Sequence, residues 1–147
     1  MTIASALAAL EVLRPGNTYT TAQKVGWLSK LDGRIFREII LTHEDYEGAM
    51  FTGDTTATET TTALFVLAPY DEDVYVNFLE AQVDREDGED SRYNQSISLF
   101  NAAMRDFAGY YNRTHMPVSQ TVPYFRFGAG SAADDDTVTF TLIDPTS

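Results

Sequence analysis

Between Tyr93 and Tyr111, large apolar or aromatic residues recur at Tyr93, Ile97, Phe100, Met104, Phe107 and Tyr111, in steps that alternate four and three. A strand alternates its side chains between two faces, so only an α-helix brings all six residues to one side. The rest of the circumference, including Asn94, Gln95, Ser96, Asn101, Arg105, Asp106 and Asn112, is polar. The helix therefore has one stripe to bury, its core seam, and needs one packing partner, from this chain or from a second copy. Full burial of six such residues amounts to on the order of 10 kcal/mol before conformational entropy is subtracted.

A partner immediately precedes it. "DEDVYVNFLEAQVDREDGE" opens with Asp71, a candidate N-cap, and has Glu72 and Asp73 in its first turn, where carboxylates complement the helix dipole. Its apolar face is Val74 or Tyr75, Phe78, Leu79, and Gln82 or Val83, and Gly88 ends it. The seam helix restarts near Ser91 after a very short turn, which predicts an antiparallel helical hairpin.

Two more helices are expected upstream. "MTIASALAALEVLRPG" is apolar, lacks a basic start and is interrupted by Glu11 and Arg14, so it reads as a short amphipathic helix rather than a signal peptide. Pro15-Gly16-Asn17 closes it, and Gln23 to Thr42 forms the second helix, with Thr20 or Thr21 as N-cap and Trp27 or Leu28, Leu31, Ile35 and Ile39 at helical spacing. Gly33 lies near its middle, where glycine costs about 1 kcal/mol relative to alanine, as a kink, a close contact or a tolerated surface position. From Asp45 to Thr62 the periodicity is lost in a threonine-rich stretch, expected as a loop or a projecting β-hairpin. Ala63 to Leu67, "ALFVL", then reads as a short buried strand or extended segment stopped by Pro69.

After Pro117 the character changes to β. Tyr124 to Phe127 and Thr137 to Ile143 read as strands around a Gly/Ala/Ser/Asp link, the second alternating Val138, Phe140 and Leu142 with threonines. The expected organisation is a mainly α domain of about four helices over residues 1–121, with an extended β-prone arm over 122–147. Tyr124, Phe125, Phe127, Val138, Phe140 and Leu142 are the residues by which that arm would engage a neighbour, since two strands alone are marginal.

At 147 residues the chain is of single-domain size. Its net charge of -12 disfavours binding to duplex nucleic acid and to anionic membrane. The absence of cysteine excludes disulfides, thiolate metal sites and a thiol nucleophile. His43, in "THEDYE", fits no metal-binding spacing and reads as a solvated helix end. No phosphate loop, nucleophile elbow or dinucleotide fingerprint occurs, so neither a catalytic site nor a cofactor or metal is expected.

The unusual feature is acidic. From Asp71 to Asp90, nine carboxylates face Arg85 alone, so eight of the twelve net charges lie in twenty residues. Asp84, Glu86, Asp87, Glu89 and Asp90 are expected to face solvent, as a solvated helix end, a surface that repels DNA or one that imitates it.

Three features together resemble a known family. "KVGWLSKLDGRIFREIILTHE", "LFVLAPYDEDVYVNFLEAQVDREDGEDSRYNQSISLFNAAMRDFAGYYNRTHMP" and the loop between them are similar to head-to-tail connector (adaptor) proteins of tailed bacteriophages. The likeness covers Lys24 to Pro117, roughly two-thirds of the chain, and lies in the LDG of the second helix, "APYDE" before the third, and "RYN" and "YNRTH" at the ends of the fourth. It implies a helical bundle assembled as a homo-oligomeric ring, commonly a dodecamer, in the virion neck. Such a ring docks on the portal protein, receives a tail or stopper protein below and lets DNA pass without specific binding. An acidic inhibitor that mimics DNA, and a tail-completion or stopper protein, are the alternative readings.

Overall fold

Thr20 and Gln23 satisfy each other's backbone at the start of a helix: the Thr20 hydroxyl accepts from the Gln23 N–H at 3.2 Å and the Gln23 side chain accepts from the Thr20 N–H at 2.9 Å. This capping box opens α2, Thr21–Glu38. Thr2 and Ser5 form the same reciprocal pair at the head of α1, Ile3–Leu13. The computed structural model describes residues 1–44, 46–48, 50, 51, 53 and 62–118, and the backbone of 121–123 and 137–139.

α2 ends sooner than its periodicity suggests: a 3-10 turn, Ile40–Thr42, replaces the last turn of the predicted helix. α3 spans Asp71–Asp87, with Tyr70 rather than Asp71 at the N-cap position. Asp71 instead occupies the first helical turn, where its carboxylate accepts from the Glu72 N–H at 3.0 Å and pairs with the Met1 ammonium at 2.9 Å. At the other end Gly88 adopts φ 74°, the left-handed conformation glycine reaches without strain. The Gly88 N–H then bonds the Arg85 carbonyl at 3.2 Å and the Glu89 N–H bonds the Asp84 carbonyl at 2.9 Å, which completes a Schellman motif. α4, Asp90–Thr114, restarts at once, and the helical hairpin is formed as expected.

α3 is the centre of the bundle. Val74, Tyr75, Val76, Leu79, Ala81, Gln82, Val83 and Asp84 are all buried, more of the circumference than one stripe could cover. The reason is its neighbours: α1 and α2 pack on it as well as α4. α1 contributes Ile3, Ala6 and Leu10, and α2 contributes Val25, Leu28, Leu31, Ile35 and Phe36.

The seam of α4 faces the core but is shallower than its bulk implies. Phe107 is buried; Tyr93, Ile97, Phe100, Met104 and Tyr111 are half-buried. The deepest positions besides Phe107 are the small residues Ser96 and Ala103. Small side chains along the line of contact let two helices approach, while the large ones close over its sides. Phe100 lies at such a side, its ring 5.3 Å from that of Phe78.

The "ALFVL" segment is extended and buried at Leu64 and Val66 without belonging to a sheet. Its backbone is satisfied piecemeal. Leu64 N–H donates to the Met1 carbonyl and Ile3 N–H to the Thr62 carbonyl, both at 3.0 Å. Phe65 N–H reaches the Asp32 carboxylate at 3.3 Å, and Val66 N–H reaches the Tyr75 hydroxyl at 3.0 Å. The Tyr75 hydroxyl in turn donates to Asp32. Burial, and then the charge and hydrogen bond of Asp32, push the Tyr75 phenol far above its ordinary value, so it stays a donor.

Gly33 makes a close contact. A Cβ there would lie 3.1 Å from the ring of Phe51. That ring belongs to an aromatic cluster with Phe36, Tyr46 and Phe65, so the ends of the threonine-rich stretch are anchored in the core. Residues 54–61, the middle of that stretch, lie outside the described residues.

Candidate functional site

The acidic run divides into one buried carboxylate and an exposed turn. Asp84, expected at the surface, is 2% exposed. Arg14 at the end of α1 reaches its two oxygens at 2.9 and 3.2 Å, the Ser96 hydroxyl donates to it at 2.9 Å, and Glu80 lies 3.4 Å from the same guanidinium. Three helices meet at this group, so Asp84 joins the bundle together and takes no part in an exposed surface. Its signal was at Arg14: the buried stripe Ile3, Ala6, Leu10 continues in steps of three and four onto that residue, and a cation on a buried face requires a carboxylate opposite it.

Glu86, Asp87, Glu89 and Asp90 do face solvent, around the α3–α4 turn. Asp87 accepts from the Tyr19 hydroxyl at 2.5 Å, and that bond, with burial adding to it, pushes the phenol up to about 12. Arg85 pairs with Glu86 at 3.1 Å across the surface. No side-chain bond engages Glu89 or Asp90 among the described residues, and the turn keeps a local excess of negative charge.

His43 is not solvated. It is 7% exposed, with Nδ1 2.7 Å from the Ile39 carbonyl and Nε2 2.8 Å from the side-chain amide of Asn112. Its ring meets Tyr111 edge-on at 4.9 Å. Beside it, the chain leaving α4 pairs antiparallel with the chain leaving the 3-10 turn: Glu44 N–H donates to the Met116 carbonyl and Val118 N–H to the Thr42 carbonyl, both at 2.8 Å. The histidine thus pins the end of α4 to the end of α2. Helical periodicity hid this, because it depends on a partner 69 residues away.

Beyond Val118, two short strands are described. β1, Thr121–Pro123, pairs antiparallel with β2, Thr137–Thr139, with Val122 opposite Val138. β2 falls within the predicted second strand and β1 just before the predicted first. Tyr124, Phe125, Phe127, Phe140 and Leu142 lie outside the described residues.

Arg105, Asp106, Gly109 and Arg113, with Tyr70 from the turn before α3, line a cavity of about 280 Å³. The Arg113 guanidinium lies over Gly109, where a Cβ would meet it at 3.4 Å. Tyr70 is held from behind by the rings of Phe107 and Tyr110.

Among the described residues no group of three or more His, Asp or Glu side chains could hold a metal ion, and no helix is long and apolar enough to cross a membrane. No protein-family model, curated protein or solved structure matches the chain.

Proposed function

We propose that this chain is the subunit of a head-to-tail connector ring of a tailed bacteriophage, a structural protein of the virion neck rather than an enzyme. It assembles in the host cytoplasm as a homo-oligomeric ring on the portal, joins the capsid to a tail or stopper protein, and lets the genome pass through its lumen. The observation that carries this reading is the exposed acidic turn, Glu86 to Asp90, on a bundle whose buried Asp84 and Tyr75 find their partners within the chain. A subunit of a DNA channel must fold before it assembles, and its channel face must not hold phosphate. Uncompensated carboxylates repel the DNA backbone and offer no counterion release. The resemblance of Lys24 to Pro117 to connector proteins supports the same assignment. A mimic of DNA needs carboxylates spread along a continuous face, whereas the exposed acids of α3 and its turn cluster at the helix entry, Glu72 and Asp73, and at its close, Glu86, Asp87, Glu89 and Asp90.

The test uses the full chain and a chain lacking Val122 to Ser147, each mixed with the cognate portal protein and followed by light scattering. The full chain is expected to form a ring or a portal complex. The truncated chain is expected to stay folded by circular dichroism and to lose portal attachment, because the arm supplies that contact. Portal binding by the truncated chain at full strength would remove the arm's role. A persistent monomer that competes with DNA for a host protein would replace the connector reading with the mimic.

A further inference from the structure

Copies of a chain with a net charge of -12 repel one another, but at physiological ionic strength charges more than about 8 Å apart are largely screened. A contact between copies is therefore decided by the groups it brings close, and the cations not already paired within the fold become decisive. Arg14, Lys24, Arg34 and Arg85 are ion-paired within the chain. Lys30, Arg37, Arg92, Arg105 and Arg113 make no ion pair with any described residue, and of these Arg105 and Arg113 converge on one cavity. Gly109 between them costs about 1 kcal/mol relative to alanine inside a helix, and its missing side chain leaves the floor of that cavity open.

We infer that this cavity is the receiving half of a contact between copies of the chain, and that its occupant is the acidic α3–α4 turn of the next copy. Guanidinium groups bind carboxylates in a planar, two-pronged geometry, which makes arginine suited to such a contact. The turn supplies Glu86 and Glu89 on an exposed link. The volume of about 280 Å³ suits a few side chains. Asp106 on the rim lowers the net charge of the cavity to a single positive unit, which suits one or two carboxylates better than a polyphosphate.

The two halves lie toward opposite ends of α4, with Arg105 about 22 Å along the helix from Asp90. One copy cannot close this contact on itself. Different patches that meet head to tail produce a ring where the rotation closes, and a filament otherwise. The inference gives the connector reading its subunit contact and rests on that reading only for closure of the ring.

Charge exchange tests it, read by sedimentation at low and at high salt. One variant carries Arg105→Glu and Arg113→Glu, another carries Glu86→Lys and Glu89→Lys, and a third carries all four substitutions; thermal melts confirm that each is folded. The wild-type chain is expected to self-associate at low salt and to dissociate as salt rises. Each two-site variant alone should associate about a hundredfold more weakly or less, since like charges then face each other. The equimolar mixture of the two, and the four-site variant alone, should regain association. A wild-type chain that stays monomeric at low salt overturns the inference, as does a two-site variant that associates normally or a mixture that does not recover. If association survives the reversals and the ring still forms on portal, the connector reading stands and this contact is wrong. If the charge pairing holds but no portal complex forms, the contact stands and the connector reading falls.

Discussion

Asp84 shows how far one side chain's role depends on what lies across from it. Its carboxylate is taken out of water and returned two contacts from Arg14 and one from Ser96. Asp84→Ala leaves the Arg14 guanidinium with Glu80 alone and the buried Ser96 hydroxyl without its acceptor, and a cost of about 1 to 3 kcal/mol is expected in denaturant melts. Replacing Glu89, a few residues on and exposed, should change stability by less than about 0.5 kcal/mol. Tyr75 is the second such position. Tyr75→Phe removes the acceptor of the Val66 N–H and a donor to Asp32, and about 1 to 3 kcal/mol of stability should go with it. A Tyr75→Phe melt indistinguishable from wild type would mean that water replaces both bonds. Asp32 itself was legible in principle, because Val25, Leu28, Asp32 and Ile35 follow one helical stripe; a carboxylate in that register is an internal partner for backbone groups that no sheet will satisfy.

At the scale of elements, α4 and α3 divide the lesson. Regular spacing located the α4 face correctly, yet bulk was a poor guide to depth: Ala103 and Ser96 sit at the line of contact, and Phe100 sits at its edge. Phe107→Asp is therefore expected to unfold the protein, with loss of the cooperative thermal transition. Phe100→Asp should leave a folded protein of lower melting temperature, because its ring leaves water only in part. The reverse order of severity in circular dichroism melts would show that the small-residue line is not the packing axis. Periodicity predicts one apolar face for α3, and the helix has neighbours on several sides. Val76 and Ala81 lie outside the predicted face and are buried nonetheless, on a helix that α1 and α2 as well as α4 pack against.

For the whole molecule, polar contacts tie Met1 to Asp71 and the end of α4 to His43. Burial alone would raise the Asp71 carboxyl, but the Met1 ammonium and the Glu72 N–H together outweigh it and hold the group below the usual carboxylate range. A carboxyl that binds its proton less readily when folded contributes stability above its unfolded pKa and loses it as pH falls through the folded one. The difference in melting temperature between the wild type and Asp71→Asn should thus be full near neutrality and shrink below about pH 4. A difference that is constant across that range would mean the ion pair does not form in solution. At this scale too, the acidic turn and the arginine cavity lie apart along α4, an asymmetry that local sequence windows do not reveal.

The sequence by itself determined the four helices, the threonine cap of α2, the αL glycine that closes α3 and the hairpin that follows, because each depends on residues within a few positions of one another. Helical period and capping chemistry are local, so they survive without knowledge of the fold. The tertiary structure alone decided which helix is central, that Asp84 and His43 are buried joints, and that Arg105 and Arg113 remain without ion-pair partners among the described residues. Those outcomes rest on contacts between residues about 70 positions apart, such as Arg14 with Asp84 and His43 with Asn112. A charged side chain has the same local pattern whether it faces water or a partner, and only the packing of whole helices chooses between the two.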